Sequence, residues 1–195
     1  MDSATCVAMG GDRNRRSLAM LYGPATGLTT PEDPMSHLSE TIDANPSLGT
    51  HERNEIGRLL QAQLVDLIDL SLIGKQAHWN IAGPNFHPLH LQLDEFIEQW
   101  RDLSDDVAER AVALGIAPDG QAGAVAAQSE VEGFPVAQIA DAEVVIGFAH
   151  RLSQAVYRAR ERMDRLDELD LASQDLIIEV VRVLEKQLWM FRVQG

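Results

Sequence analysis

Cysteine is almost absent: Cys6 is the single thiol in 195 residues. That excludes an intrachain disulfide framework and any zinc site built on cysteines. A reducing cytoplasm is the simplest setting. Aromatics are scarce at 5%, although 45% of the chain is hydrophobic. Leu, Ala, Val and Ile therefore supply the core, a composition that suits helices. Cationic residues are few as well. Sixteen Lys and Arg stand against thirty Asp and Glu, for a net charge of -14. Such a surface draws cations and disfavours a broad phosphate-binding face. Long apolar runs are missing too. Nothing approaches the roughly 20 residues of a membrane span. The stretch SLAMLYGPATG that follows Arg13, Arg15 and Arg16 is too short and too broken for a secretory leader.

Residues 1–50 carry no steady periodicity and cluster Gly, Pro, Ser and Thr, as in GLTTPEDP and ANPSLG. They are expected to form an irregular N-terminal tail, with residues 51–195 as the folded domain. Met20 and Met35 are alternative starts to Met1. From about 52 to 80, Ile56, Leu59, Leu60, Leu64, Leu67 and Ile68 recur at the 3–4 spacing of one helical face. Carried on from Leu64, that face ends in His78. Ile81 to Asn85 reads as a turn broken by Gly83-Pro84, and Asn85 as the cap of a second helix with Pro88 in its first turn. That helix runs to about Leu114, where Gly115 fits a C-terminal cap. Residues 115–135 form a long connection in which AGAVAAQ can make a short helix. A third long helix over about 137–168 and a fourth over about 173–193 complete the set. No strand-like alternation competes. Four long helices with one long crossover point to an all-α, ferritin-like four-helix bundle.

Chemistry concentrates on the second helix. His90, Asp94, Asp105 and Glu109 fall at about 0°, 40°, 60° and 100° around its axis, on one stripe. Within each pair the spacing is i, i+4, so the side chains meet. The pairs lie roughly 16 Å apart along the axis, too far for one metal ion to bridge. Packed antiparallel against its own copy near residues 98–101, the helix would bring His90 and Asp94 of one chain to Asp105 and Glu109 of the other, giving two equal sites per dimer. His78 joins from across the turn. Two imidazoles and three carboxylates suit Fe(II), with Zn(II), Co(II) and Mn(II) as competitors. The plainer alternatives are a satisfied core histidine, and a solvated acidic face paired with Arg101 or Arg110.

The segments KQAHWNIAGPNF, LHLQLDEF, DDVAERAVALG and LASQDLIIEVVRVLEKQLWMF, in this order, closely resemble the Dps mini-ferritins, the DNA-binding proteins from starved cells. The likeness covers about 52–193. It implies a hollow shell of twelve subunits, and an intersubunit ferroxidase centre on His78, His90 and Asp94 of one chain with Asp105 and Glu109 of the next. It implies oxidation of Fe(II) by hydrogen peroxide in preference to dioxygen, storage of ferric mineral, and protection of the cell and its DNA from oxidative damage. Trp79 beside the centre would absorb stray oxidising equivalents or simply pack. Asp170, Asp175 and Glu179 would line a three-fold pore for iron uptake, the alternative being favourable charge at a helix N-terminus. His87 stands where the family usually has an apolar residue, and is expected to be a surface histidine, the alternative being an extra outer ligand. The implied location is the cytoplasm, with nucleoid association as the open alternative.

Other functions are weaker. A larger di-iron ferritin needs Glu-x-x-His motifs, and no Glu stands three residues before any of the six histidines. DNA compaction needs clustered cations. Residues 1–50 offer only Arg13, Arg15 and Arg16 against six acids, and no basic run precedes Gly195, so direct DNA binding is expected to be weak or absent. A shell with a lost centre is disfavoured by the complete ligand set. Arg158 to Arg165, with the acids around them, and Glu185 with Lys186 read as solvated faces.

Overall fold

The structure is a computed structural model and describes residues 48–195. The proposed tail therefore lies, up to residue 47, outside the described residues, as do Cys6, the three tail arginines and the alternative start methionines. Five helices follow in order: α1 (Thr50–Asn80), α2 (Phe86–Ala113), α3 (Ala122–Gln128), α4 (Asp141–Leu166) and α5 (Leu171–Arg192). The four long ones form the bundle, and AGAVAAQ is the short α3 in the crossover, as its sequence suggested. None is long and apolar enough to cross a membrane.

Helix ends follow local chemistry. Gly49 N–H donates to the Glu52 carboxylate at 2.7 Å, closing the start of α1. α2 ends with Gly115 at φ 74°, the left-handed C-terminal cap expected there. Ile116 N–H then returns to Ala111 O at 2.9 Å. Asp170 caps α5, accepting from Ser173 N–H at 3.1 Å. Two details differ from the sequence reading. Ile81–Ala82 (β1) is not merely turn: it pairs in parallel with Ile139–Ala140 (β2), just before α4. Asn85 occupies the N-cap of α2 but makes no side-chain capping bond. Its backbone N–H goes to Asp141 of α4 instead.

The core is one continuous cluster drawn from all four long helices. Four aromatics, Phe96, Trp100, Phe148 and Phe191, are buried together in it. Phe148 and Phe191 stack at 5.2 Å, Trp100 lies 6.1 Å from Phe148, and the Trp100 indole N–H is satisfied by Gln187 at 2.7 Å. One expectation fails here. Arg158 and Arg162 are not on a solvated face. Both reach across from α4 to the buried Asp66 of α1, at 2.9 and 2.8 Å, and Arg162 also donates to Gln63. A carboxylate inside a core demands such partners, because an unpaired buried charge is very costly. Arg160 with Glu185 does form the exposed pair expected of surface residues.

Candidate metal centre

α1 and α2 run side by side from a five-residue connection, so the end of one and the start of the other share a corner. His78 sits in the last turn of α1 and His90 near the start of α2. Their rings stack at 3.6 Å, tilted by 21°. Each ring bonds the other's backbone: His78 Nδ1 to His90 O, and His90 Nδ1 to His78 O, both at 3.1 Å. A carbonyl can only accept, so both Nδ1 atoms carry hydrogen. Both Nε2 lone pairs are left for a Lewis acid, the arrangement that fixes tautomer and orientation in metal-ligating histidines.

Asp94 stands one turn beyond His90, with Oδ1 3.3 Å from His78 Nδ1. His78, His90 and Asp94 offer ligand atoms all within 4.8 Å of one another, the one such grouping among the described residues. Lys75, one turn before His78, donates to the same Asp94 Oδ1. That ammonium holds the Asp94 carboxyl below its ordinary value. Burial depresses His78, a residue only 7% exposed, so the neutral form is favoured. Sequence reasoning passed over Lys75, although its i, i+3 relation to His78 placed it on the same face.

Asp105 and Glu109 lie on the exposed side of the same α2, away from the histidine corner within this chain. The sequence alternative that paired them with Arg101 or Arg110 is not realised. Arg101 bonds Glu98, and Arg110 bonds Asp170 and Ser173. Asp170 is thus engaged in capping α5 and in an ion pair. Burial raises its pKa, but the Ser173 and Arg110 bonds outweigh this and hold it low. Asp175 and Glu179 are exposed, one turn apart on α5. Trp79 leaves 70% of its surface uncovered in the single chain. His87 is exposed, as expected.

A four-helix bundle with a long crossover, carrying a His/His/Asp corner between its first two helices, is of the ferritin class. Residues 58–194 match the ferritin-like domain family. Two curated relatives are named DNA protection during starvation proteins. The protein from Mycolicibacterium smegmatis is 33% identical over 75% of this chain and 80% of its own. Protein 2 of Deinococcus radiodurans is 32% identical over 75% of this chain, which spans 61% of that longer protein. Among solved structures, the tetragonal form of Mycobacterium smegmatis Dps superposes with a TM-score of 0.74 at 33% identity, covering 77% of this chain and 91% of that one. Dps from Microbacterium arborescens in its high iron form gives 0.71 at 29% identity, covering 75% and 95%. The chain belongs to the Dps family of ferritin-like proteins.

Proposed function

We propose that this protein is an iron-storing ferroxidase: it binds Fe(II) as substrate at sites shared between two-fold-related subunits, oxidises it with hydrogen peroxide, and keeps the ferric product inside a shell of twelve subunits. The observation that carries the reading is the reciprocal hydrogen bonding of His78 and His90, which leaves Nε2 of each ring free to accept, in a cluster with Asp94 whose ligand atoms lie within 4.8 Å of one another. Asp105 and Glu109, exposed on the same helix, complete the centre from the partner subunit. Family membership supports iron as the metal, and one relative has been solved in a high iron form. The N/O donor set also admits Zn(II), Co(II) and Mn(II) as competitors.

The chain's residues supply binding and orientation, while electrons pass from the ferrous substrate to peroxide, which leaves as water. Removing both reactants together suppresses hydroxyl radical, and this is how cellular DNA would be protected. The protein works in the cytoplasm, with weak or absent direct DNA binding at physiological salt. Asp175 and Glu179 present carboxylates for a cation path through the shell, with Asp170 at the head of the same helix. Residues 51–195 are the bundle domain in this reading.

The test is anaerobic Fe(II) loading of assembled protein followed by hydrogen peroxide, with ferric absorbance and free radical recorded together. Rapid oxidation with little radical is expected, and loss of both effects in the His90→Ala, Asp94→Ala double variant. Oxidation no faster than that of free Fe(II) would refute the reading.

A further inference from the structure

The two histidines ride on separate helices joined by residues 81–85, and that connection is held from outside by α4. Ile81 and Ala82 pair with Ile139 and Ala140, the last residues before α4. Asp141, the first residue of α4, then turns back onto the connection. Its Oδ2 accepts the Asn85 N–H at 2.8 Å while Oδ1 accepts Ala142 N–H at 2.9 Å. Gly83 has φ 138°, and a Cβ there would lie 2.5 to 2.8 Å from the Asp141 carboxyl atoms. The carboxylate is therefore lodged where a side chain on residue 83 would stand. Asp141 is 9% exposed, and the Asn85 N–H holds its carboxyl below the ordinary value, so the clamp is ionised at neutral pH.

We infer that Asp141 is a positioning residue for the His78–His90 pair: its carboxylate fixes the turn that joins the two histidine-bearing helices, and so fixes the separation of the imidazoles that would take a divalent cation. The inference rests on the metal-ligand reading of those histidines. The competing role is purely structural, a favourable negative charge in the first turn of α4. The two roles predict different orders. Asp141→Asn keeps an oxygen at the same reach but loses the charge. Asp141→Glu keeps the charge but pushes it one methylene further, against Gly83.

The experiment titrates Co(II) into full-length assembled protein and follows its visible absorption, alongside thermal unfolding. Val180→Ala, a buried site on α5, serves as a destabilised control. Positioning predicts binding in the order wild type, Asp141→Asn, Asp141→Glu, Asp141→Ala. The last should be weakened at least about tenfold, the scale of second-sphere losses at metal sites, while Val180→Ala binds normally despite a lower melting temperature. An Asp141→Ala protein that melts earlier but binds Co(II) with wild-type affinity and spectrum overturns the inference. So does an order in which Asp141→Glu binds better than Asp141→Asn, and the latter pair decides the matter if Asp141→Ala does not assemble. If the wild-type protein itself binds no Co(II), the metal reading falls. The positioning role is then decided by crystals of metal-free Asp141→Glu, where a ring separation still at 3.6 Å would end it.

Discussion

The shared centre can be tested by mixing two defective subunits. Variant X carries His90→Ala with Asp94→Ala, and variant Y carries Asp105→Ala with Glu109→Ala. α2 is unbroken from Phe86 to Ala113, so Asp94 and Asp105 are held about 16 Å apart along its axis, while ligand bonds to such metals are about 2 Å long. One helix cannot place both pairs on one ion, so shells of X alone or Y alone should sit near background. In shells co-assembled at equal amounts, about half of the two-fold pairs are mixed. Each mixed pair joins the histidine corner of Y to the carboxylates of X at one site and leaves the other site doubly defective. About one quarter of the wild-type sites should return. The assay is the amplitude of the fast ferric signal after peroxide addition, in shells co-expressed with two tags and purified for both. Asp105 and Glu109 are exposed, so Y should lose no more than about 0.5 kcal/mol of stability. Assembled mixed shells that stay at background would refute the shared site. Homogeneous Y at full amplitude would remove Asp105 and Glu109 from the centre.

Asp66→Ala should cost about 3–5 kcal/mol in chemical denaturation, because it strands the Arg158 and Arg162 guanidiniums in the core; a loss under about 1 kcal/mol would mean that they find other partners. Asp170→Ala should cost about 1 kcal/mol as a lost helix cap. Because the folded protein holds the Asp170 carboxyl below its ordinary 3.8, that contribution is fully present above 3.8 and is lost as pH falls through the folded value, so melting curves of wild type and variant should converge in acid. His78 is held below its ordinary 6.5 by burial, and divalent ions need the neutral ring. Co(II) binding should therefore survive some way below pH 6.5, and a midpoint above 6.5 would contradict the buried-ring argument. The same depression makes the contribution of His78 to folding complete above 6.5 and lost as pH falls from there toward its folded value.

What could be read along the chain was whatever repeats at helical spacing. The apolar stripes placed α1, α2, α4 and α5 within a few residues, and Gly115 marked its own cap. His78, His90 and Asp94 were legible because two lie one turn apart on one helix and the third falls on the extrapolated face of its neighbour. Pairings across long separations were not. Nothing within a few residues of Arg158 or Arg162 announces Asp66, more than ninety positions away, so the sequence presented a charged surface where the fold has a buried bridge. The Asp141 clamp was hidden in the same way, since an acidic residue at a helix start already has a sufficient local explanation. Two-residue strands such as β1 and β2 are too short to leave any alternation.

The stitch between the α1–α2 corner and the head of α4 also bears on the order of events during folding. α1 with α2, and α4 with α5, are neighbours in sequence and can zip locally and early. The Asn85 N–H, however, stays without its carboxylate, and β1 without β2, until the second hairpin docks on the first. A chain that has made only its first hairpin carries both histidines but lacks the brace that holds their connection. The corner that carries both histidines is thus braced only once the second hairpin has docked on the first.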